Sequence, residues 1–175
     1  IDSGGGSPTA SDQVWNAVKK VQASGKKVVV SMGSMAASGG YYAAASADSI
    51  VAARSTITGS IGVFGGKFAI ADALREFGIS PDAVTVGGEF ASAYSMEKLT
   101  PAQRAKMHEG LQATYDRFIG IVAEGRKLPT QQVQEIARGR IWSGEDAQKN
   151  GLVNKTGDIV TALEEARALA GFKPE

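Results

Sequence analysis

A serine among very small residues is the feature of this sequence best suited to chemistry. Ser38 is followed by Gly39 and Gly40, shortly after the valine run of residues 28–30. The run is typical of a buried strand, and the residues after the glycines are typical of a helix. A serine at such a junction lies beside helix N–H groups that have no intrahelical acceptor and that can hold a developing oxyanion. We therefore predict that Ser38 is a nucleophile.

A purely structural serine is the alternative at this position. Ser-Gly-Gly is a common turn composition, and serine is also a frequent helix cap. The stretch does not match the nucleophile motif G-x-S-x-G, because Ala36 occupies the first glycine position. The local sequence leaves both interpretations open.

A second glycine loop lies near the start of the chain. Residues 1–3 are typical of a strand end, and Gly4 to Gly6 follow them directly. Ser7 and Pro8 then predict a helix start. Because the carboxyl ends of parallel strands meet at one edge of a sheet, the sequence predicts that this loop lies close to Ser38.

Composition restricts the possible classes of function. The chain has 175 residues, a net charge of +1, no cysteine and a single histidine, His108. Near-neutral charge argues against nucleic-acid binding, and the residue types exclude thiolate catalysis and a multi-histidine metal site. Residues 61–68 fail the spacing of a phosphate-binding loop. We therefore expect no metal and no cofactor.

Alternating strand and helix patterns predict an α/β fold with a core rich in parallel strands. The segment 55–66 has two interpretations, an extended segment lining a cleft or a plain loop. We predict one domain over 1–175, with a core over 1–126 and a helical portion over 127–175, and the abrupt start suggests that a preceding strand is missing. Further strands are predicted at 48–53 and 83–86, and helices at 68–77 and 101–126 and after Thr130, Ser143 and Asp158.

Five stretches together resemble the signal peptide peptidase A family of serine proteases, which has the Clp protease/crotonase-like fold. They are IDSGGGS, SMGSMAASGGYY, TGSIGV, TPAQR and GRIWSGEDAQKNGLV. The similarity covers essentially the whole chain. It is strongest to the carboxyl-terminal copy of double-length members, which carries the serine.

The resemblance implies roles for particular residues. The nucleophile of the family falls on Ser38, and its oxyanion donors fall on the N–H groups of Gly39 and Gly6. The family uses a Ser/Lys dyad, but Phe90 stands where single-length members have the lysine. Lys67 and Lys98 are the nearest alternatives. In double-length members the first copy supplies the lysine, so we expect a missing upstream half or a partner subunit to do so here.

The resemblance also implies a function, which is cleavage of short hydrophobic peptides such as remnant signal peptides. It implies a homo-oligomer and a membrane-associated location in the bacterial cell envelope. Alternatives are a non-catalytic scaffold domain of the same fold and a crotonase-type acyl-CoA enzyme. We assign substrate contacts to Gly5, Met32, Met35, Ile61 and Val63.

Overall fold

The computed structural model describes residues 1–172, and the side chain of Glu89 lies outside the description. The chain divides into two compact units, one made of residues 1–63 together with the chain from Tyr115 onward, the other of residues 64–114. Residues beyond 126 therefore share a unit with the amino-terminal segment. The predicted single domain stays a prediction.

The chain is built of six short strands, seven α-helices and one 3₁₀-helix over the described residues. In order they are α1 (Pro8–Ala23), β1 (Val29–Met32), β2 (Met35–Ala37), α2 (Gly39–Ala44), β3 (Ser49–Ala52), β4 (Ile57–Gly59), α3 (Ala71–Glu76), a 3₁₀-helix (Glu89–Tyr94), α4 (Pro101–Arg126), α5 (Thr130–Ile136), β5 (Ile141–Ser143), α6 (Gly144–Lys149), β6 (Lys155–Thr156) and α7 (Ile159–Leu169).

Two three-stranded sheets form the framework of the first unit. In one sheet β3 lies between β1 and β6, and both pairings are parallel. In the other β4 lies between β2 and β5, parallel to the former and antiparallel to the latter. The amino-terminal segment runs parallel to β2, since Ser3 forms a bridge with Ala36. The predicted parallel-strand-rich α/β core is present.

The core of the first unit packs the alanine-rich helix α2 against strands and helices from distant parts of the chain. Tyr41, Ile50 and Val122 are fully buried there. Burial of a phenol hydroxyl without a partner would be unfavourable. Tyr41 avoids this because its hydroxyl donates to the Leu152 carbonyl at 2.8 Å.

The second unit contains the start of α4 and the capping box that the sequence predicts for it. The Gln103 side-chain oxygen accepts from the Thr100 N–H at 3.0 Å, and the Thr100 hydroxyl accepts from the Gln103 N–H at 3.2 Å. These reciprocal bonds satisfy two otherwise free donors at the helix start. The predicted helix over 101–126 is confirmed at both ends.

Three local predictions differ from the structure. Residues 83–86 form no strand, and Val84 and Val86 are 96% and 88% exposed, because a β-branched run needs a pairing strand to become one. The helix predicted at 68–77 is shorter, Ala71–Glu76. Strand β2 occupies part of the stretch predicted as a turn before Ser38.

Candidate active site

Ser38 occupies a sharp turn between β2 and α2, in a backbone conformation that is rare for a residue with a side chain. Its φ is 51° and its ψ is −120°. Such a conformation costs on the order of 1–3 kcal/mol and persists only where neighbouring bonds enforce it. Here the Ser38 N–H donates to the Gly59 carbonyl at 2.9 Å, and the Ser38 carbonyl accepts from Tyr42 N–H at 2.8 Å.

The hydroxyl of Ser38 remains available for other partners. The residue is partly exposed, and its side chain makes no hydrogen bond within residues 1–172. A serine that capped the helix would accept from a backbone N–H of the first turn. The structural-cap interpretation therefore has no hydrogen bond to support it, although Ser38 precedes the helix.

The triple-glycine loop contacts the turn at Ser38 directly. A Cβ placed on Gly5 would lie 2.7 Å from the Ser38 Cβ and 2.8 Å from the Gly39 nitrogen. Gly5 also has a φ of +106°, which L side chains rarely adopt. Glycine is therefore required at this position, both by space and by conformation.

Gly6 and Gly39, the two expected oxyanion donors, are neighbours in space. A Cβ on Gly39 would lie 3.1 Å from the Gly6 nitrogen. Neither N–H group has a backbone acceptor among the described residues. Two free amide donors beside an uncapped serine hydroxyl are the arrangement that oxyanion stabilisation requires.

Asp2 fixes the amino-terminal segment that leads into the glycine loop. Its carboxylate accepts from the Met35 N–H at 3.0 Å and from the Ser34 hydroxyl at 2.9 Å. These hydrogen bonds lower the pKa of Asp2, and the bond from the Met35 N–H has the larger effect. The segment is also paired with β2 through its backbone, because the Ser3 N–H donates to the Met35 carbonyl at 2.8 Å.

Two of the residues expected to contact substrate lie in the core instead. Met32 is 5% exposed and Ile61 is 0% exposed, and both belong to the buried apolar cluster. Contrary to the expectation, neither side chain is exposed enough to contact a peptide, because Met32 in β1 and Ile61 after β4 both pack within that cluster. Of the other expected contacts, Gly5 abuts Ser38, and Met35 places its sulfur 3.3 Å from the position that a Cβ on Gly4 would take. Val63 is partly buried, four residues after the end of β4.

The residues considered for the general base all lie in the unit of residues 64–114. Phe90 is half exposed on the 3₁₀-helix and has no basic group. Lys98 pairs with Asp72 at 2.7 Å, and this hydrogen bond and charge raise the pKa of Lys98. Lys98 therefore stays protonated at neutral pH. The Nζ of Lys67 is buried without a hydrogen-bond partner in the described part of the chain.

Sequence reasoning missed a polar cluster that joins α1, α2 and α4. Asp12 accepts from the Tyr42 hydroxyl at 2.7 Å and from the Arg117 Nε at 3.0 Å. The partners are separated by 30 and 105 residues in the sequence. No local motif connects residues at such separations, so the cluster carries no signal in a single sequence.

The fold of the molecule is the Clp protease-like fold. A solved structure of a ClpP1 mutant from Listeria monocytogenes superimposes with a TM-score of 0.57, covering 90% of this chain and 71% of that one, at 16% identity. Identity at this level supports a shared fold alone. Proteins of this architecture combine parallel strands with surrounding helices, as described above.

The chain belongs to peptidase family S49, whose family model matches residues 20–173. Protease 4 of Salmonella typhi is 41% identical over 173 residues, which cover 99% of this chain and 28% of that protein. The chloroplastic serine protease SPPA of Arabidopsis thaliana is 36% identical over 174 residues, covering 98% of this chain and 25% of that protein. The chain thus spans about a quarter of the length of these relatives.

Two features are absent from the part of the chain that the structure describes. Within residues 1–172 no helix has both the length and the hydrophobicity of a membrane span. No group of three or more metal-ligating side chains converges in that same range.

Proposed function

We propose that this chain is the serine-bearing part of an endopeptidase that cleaves short hydrophobic peptides, such as remnant signal peptides. The observation that carries the proposal is the contact between the strained turn at Ser38 and the triple-glycine loop. Membership of peptidase family S49 supports the same activity. The fold that this chain shares with ClpP would not support that activity by itself, because one fold hosts many functions.

The reaction begins when the Ser38 hydroxyl oxygen attacks the carbonyl carbon of the scissile peptide bond. The hydroxyl proton passes to a neutral lysine amine, and the carbonyl oxygen becomes an oxyanion held by the Gly39 and Gly6 N–H groups. Collapse of this intermediate breaks the C–N bond, and the leaving amine takes the proton from the lysine. Water then hydrolyses the acyl-enzyme by the same steps.

The lysine comes from an upstream half or a partner subunit in this proposal. Lys98 is unsuitable because its ion pair with Asp72 keeps it protonated. Phe90 cannot accept a proton. Lys67 is the alternative within this chain, and its buried amine has no hydrogen-bond partner among the described residues.

A fluorophosphonate probe that labels active serines tests the proposal. We expect labelling when this chain is combined with its upstream half, weak labelling of the chain alone, and none in Ser38→Ala. Ser24→Ala, at the carboxyl end of α1, is the matched control and should label like the wild type. Equal labelling of Ser38→Ala and the wild type contradicts the proposed function.

The same assay tests the source of the base. Full labelling of the chain alone contradicts the upstream lysine. If the chain alone is labelled, and Lys67→Met abolishes that labelling while Lys98→Met does not, the base is Lys67. Labelling that persists in both variants excludes both lysines of this chain.

A non-catalytic scaffold of the same fold is the second candidate, and Phe90 at the expected lysine position favours it. The two are separated by adding a fluorogenic hydrophobic peptide to the chain together with its upstream half. An unmodified Ser38 and no cleavage in that complex support the scaffold. Ser38-dependent cleavage excludes it.

We further propose a homo-oligomer, or a complex with an upstream domain, associated with the membrane of the bacterial envelope. Large apolar side chains are exposed in the unit of residues 64–114, and exposed apolar surface of this kind is typical of association sites. Phe64, Phe68 and Tyr94 are 98%, 88% and 93% exposed. Sedimentation velocity checks association, and a monomer at every concentration contradicts the homo-oligomer.

A further inference from the structure

The polar cluster of Asp12, Tyr42 and Arg117 joins the elements that carry the two proposed oxyanion donors. Gly6 lies in the loop that leads into α1, and Gly39 is the first residue of α2. The separation of their N–H groups therefore depends on how α1 docks against α2. Asp12 on α1 and Tyr42 on α2 form the hydrogen bond at that contact.

Tyr42 is well suited to transmit this docking to the serine turn. Its backbone N–H donates to the Ser38 carbonyl at 2.8 Å, which closes the first turn of α2. Its side chain is 4% exposed, and its ring centroid lies 4.9 Å from that of Phe118 on α4. Burial, and to a smaller extent the hydrogen bond to Asp12, raises the pKa of Tyr42 to about 12. Its hydroxyl therefore remains a donor at neutral pH.

Asp12 is held in place by partners on both of its carboxylate oxygens. One oxygen accepts from Tyr42 and from the Arg117 guanidinium, and the other accepts from the Asn16 side chain at 2.8 Å. The Arg117 guanidinium also lies 5.5 Å from the ring centroid of Trp15 on α1. A carboxylate with this many donors has little rotational freedom and fixes the position of the tyrosine hydroxyl.

The approach of α1 to α2 is close where the donors lie. A Cβ on Gly39 would lie 2.4 Å from the Ser11 hydroxyl oxygen, and the Ser11 hydroxyl is itself anchored to the Ser7 carbonyl at 3.0 Å. No spare space separates the helices at this end. A shift of α2 would therefore change the distance between the two amides.

We propose that Asp12, Tyr42 and Arg117 are positioning residues that set the spacing of the Gly6 and Gly39 N–H groups beside Ser38. The inference rests on the proposed function, because it assigns these residues a role in the same oxyanion site. They do not touch the substrate. Their effect is on the geometry of the donors, and a displacement of about 1 Å in such a site lowers activity on the order of 100-fold.

A peptide boronic acid with apolar side chains probes the donors without requiring the general base. The Ser38 oxygen adds to the trigonal boron, the hydroxyl proton is released to solvent, and the product is a tetrahedral boronate anion. One of its boron-bound hydroxyl oxygens occupies the place of the oxyanion. Boron-11 nuclear magnetic resonance distinguishes the tetrahedral adduct from the free acid, and the corresponding peptide amide measures binding that does not use the oxyanion site.

Tyr42→Phe is the main variant, since it removes only the hydroxyl, and Asp12→Asn is the second. We expect both to weaken boronic acid binding about 10-fold or more, with amide binding unchanged. Lys19→Ala is the matched control, because Lys19 pairs with Glu124 at 3.1 Å and so also joins α1 to α4. As an exposed pair it should change boronic acid affinity less than about twofold.

The outcomes separate this inference from the proposed function. A wild-type chain that forms no adduct, or an adduct that persists in Ser38→Ala, overturns the proposed function and the positioning role with it. A Ser38-dependent adduct that is equally stable in Tyr42→Phe and Lys19→Ala overturns the positioning role alone. A proportional loss of amide and boronic acid binding in Tyr42→Phe also overturns it, because a general loss of structure affects both ligands.

Discussion

Gly39 is a residue whose missing side chain is itself a structural requirement. The position that a Cβ would take lies 2.4 Å from the Ser11 hydroxyl oxygen and 3.1 Å from the Gly6 nitrogen. Real Cβ atoms essentially never come within 3.0 Å of another atom, so a side chain there would displace the Ser11 hydroxyl and press on the Gly6 nitrogen. Absence of a side chain thus keeps the two amide donors together.

Gly39→Ala is therefore expected to reduce Ser38 labelling by the fluorophosphonate probe on the order of 100-fold, because the donors separate. Labelling is compared with Gly66→Ala, where a Cβ would meet nothing within 4 Å. The control should label like the wild type. Normal labelling of Gly39→Ala would show that α1 and α2 can move apart to make room for the methyl group. It would also show that the Gly39 N–H need not lie so close to the Gly6 N–H.

Helix α4 shows at the scale of an element how packing decides the effect of one substitution. Gly120 and Gly125 both lie in the part of α4 that belongs to the first unit. A Cβ on Gly120 would meet nothing within 4 Å, whereas a Cβ on Gly125 would lie 2.3 Å from the Ala45 carbonyl oxygen. The same change should therefore have opposite effects at these positions.

We expect Gly120→Ala to stabilise the fold by about 0.5–1 kcal/mol, because alanine restricts the unfolded chain and favours a helix. Gly125→Ala should destabilise it by about 1–3 kcal/mol, because the helix must move away from a backbone carbonyl. Urea denaturation of both variants measures the two free energies of unfolding. A loss of stability in Gly120→Ala, or none in Gly125→Ala, would contradict this account of the packing.

At the scale of the whole molecule, the two units contain segments that differ in how their backbone N–H and C=O groups are hydrogen-bonded. Strand β3 is paired on both sides and all its residues are buried. Residues 80–86 form no strand or helix and, apart from the partly buried Pro81, are exposed. Amide hydrogens without protected hydrogen bonds exchange with solvent through small local openings.

Hydrogen–deuterium exchange should therefore be fast over residues 82–86 and slow over Ser49–Ala52. Mass spectrometry of peptides from the labelled chain measures both segments in one experiment. Slow exchange over residues 82–86 would mean that these amides are protected by an association that the isolated chain forms in solution. Addition of the upstream half would then show whether the protection increases.

Local patterns in the sequence were sufficient for the features that depend on neighbouring residues. The capping box at Thr100 and Gln103 predicted the start of α4, and the glycines around Ser38 predicted a strand–turn–helix junction. The same patterns failed at residues 83–86, where a β-branched run has no pairing strand, and at Met32 and Ile61, whose burial depends on the sheets around them.

Taken alone, the sequence determined the residue types of the site and the family to which the chain belongs, because short motifs and helix caps act over a few positions. The alternation of strands and helices also predicted that the Gly4–Gly6 loop lies near Ser38, but only the tertiary structure decided which of their atoms meet, and that Asp12 joins Tyr42 to Arg117. Those contacts link residues 30 or more positions apart. Their geometry depends on the path of the whole chain, which no local spacing encodes.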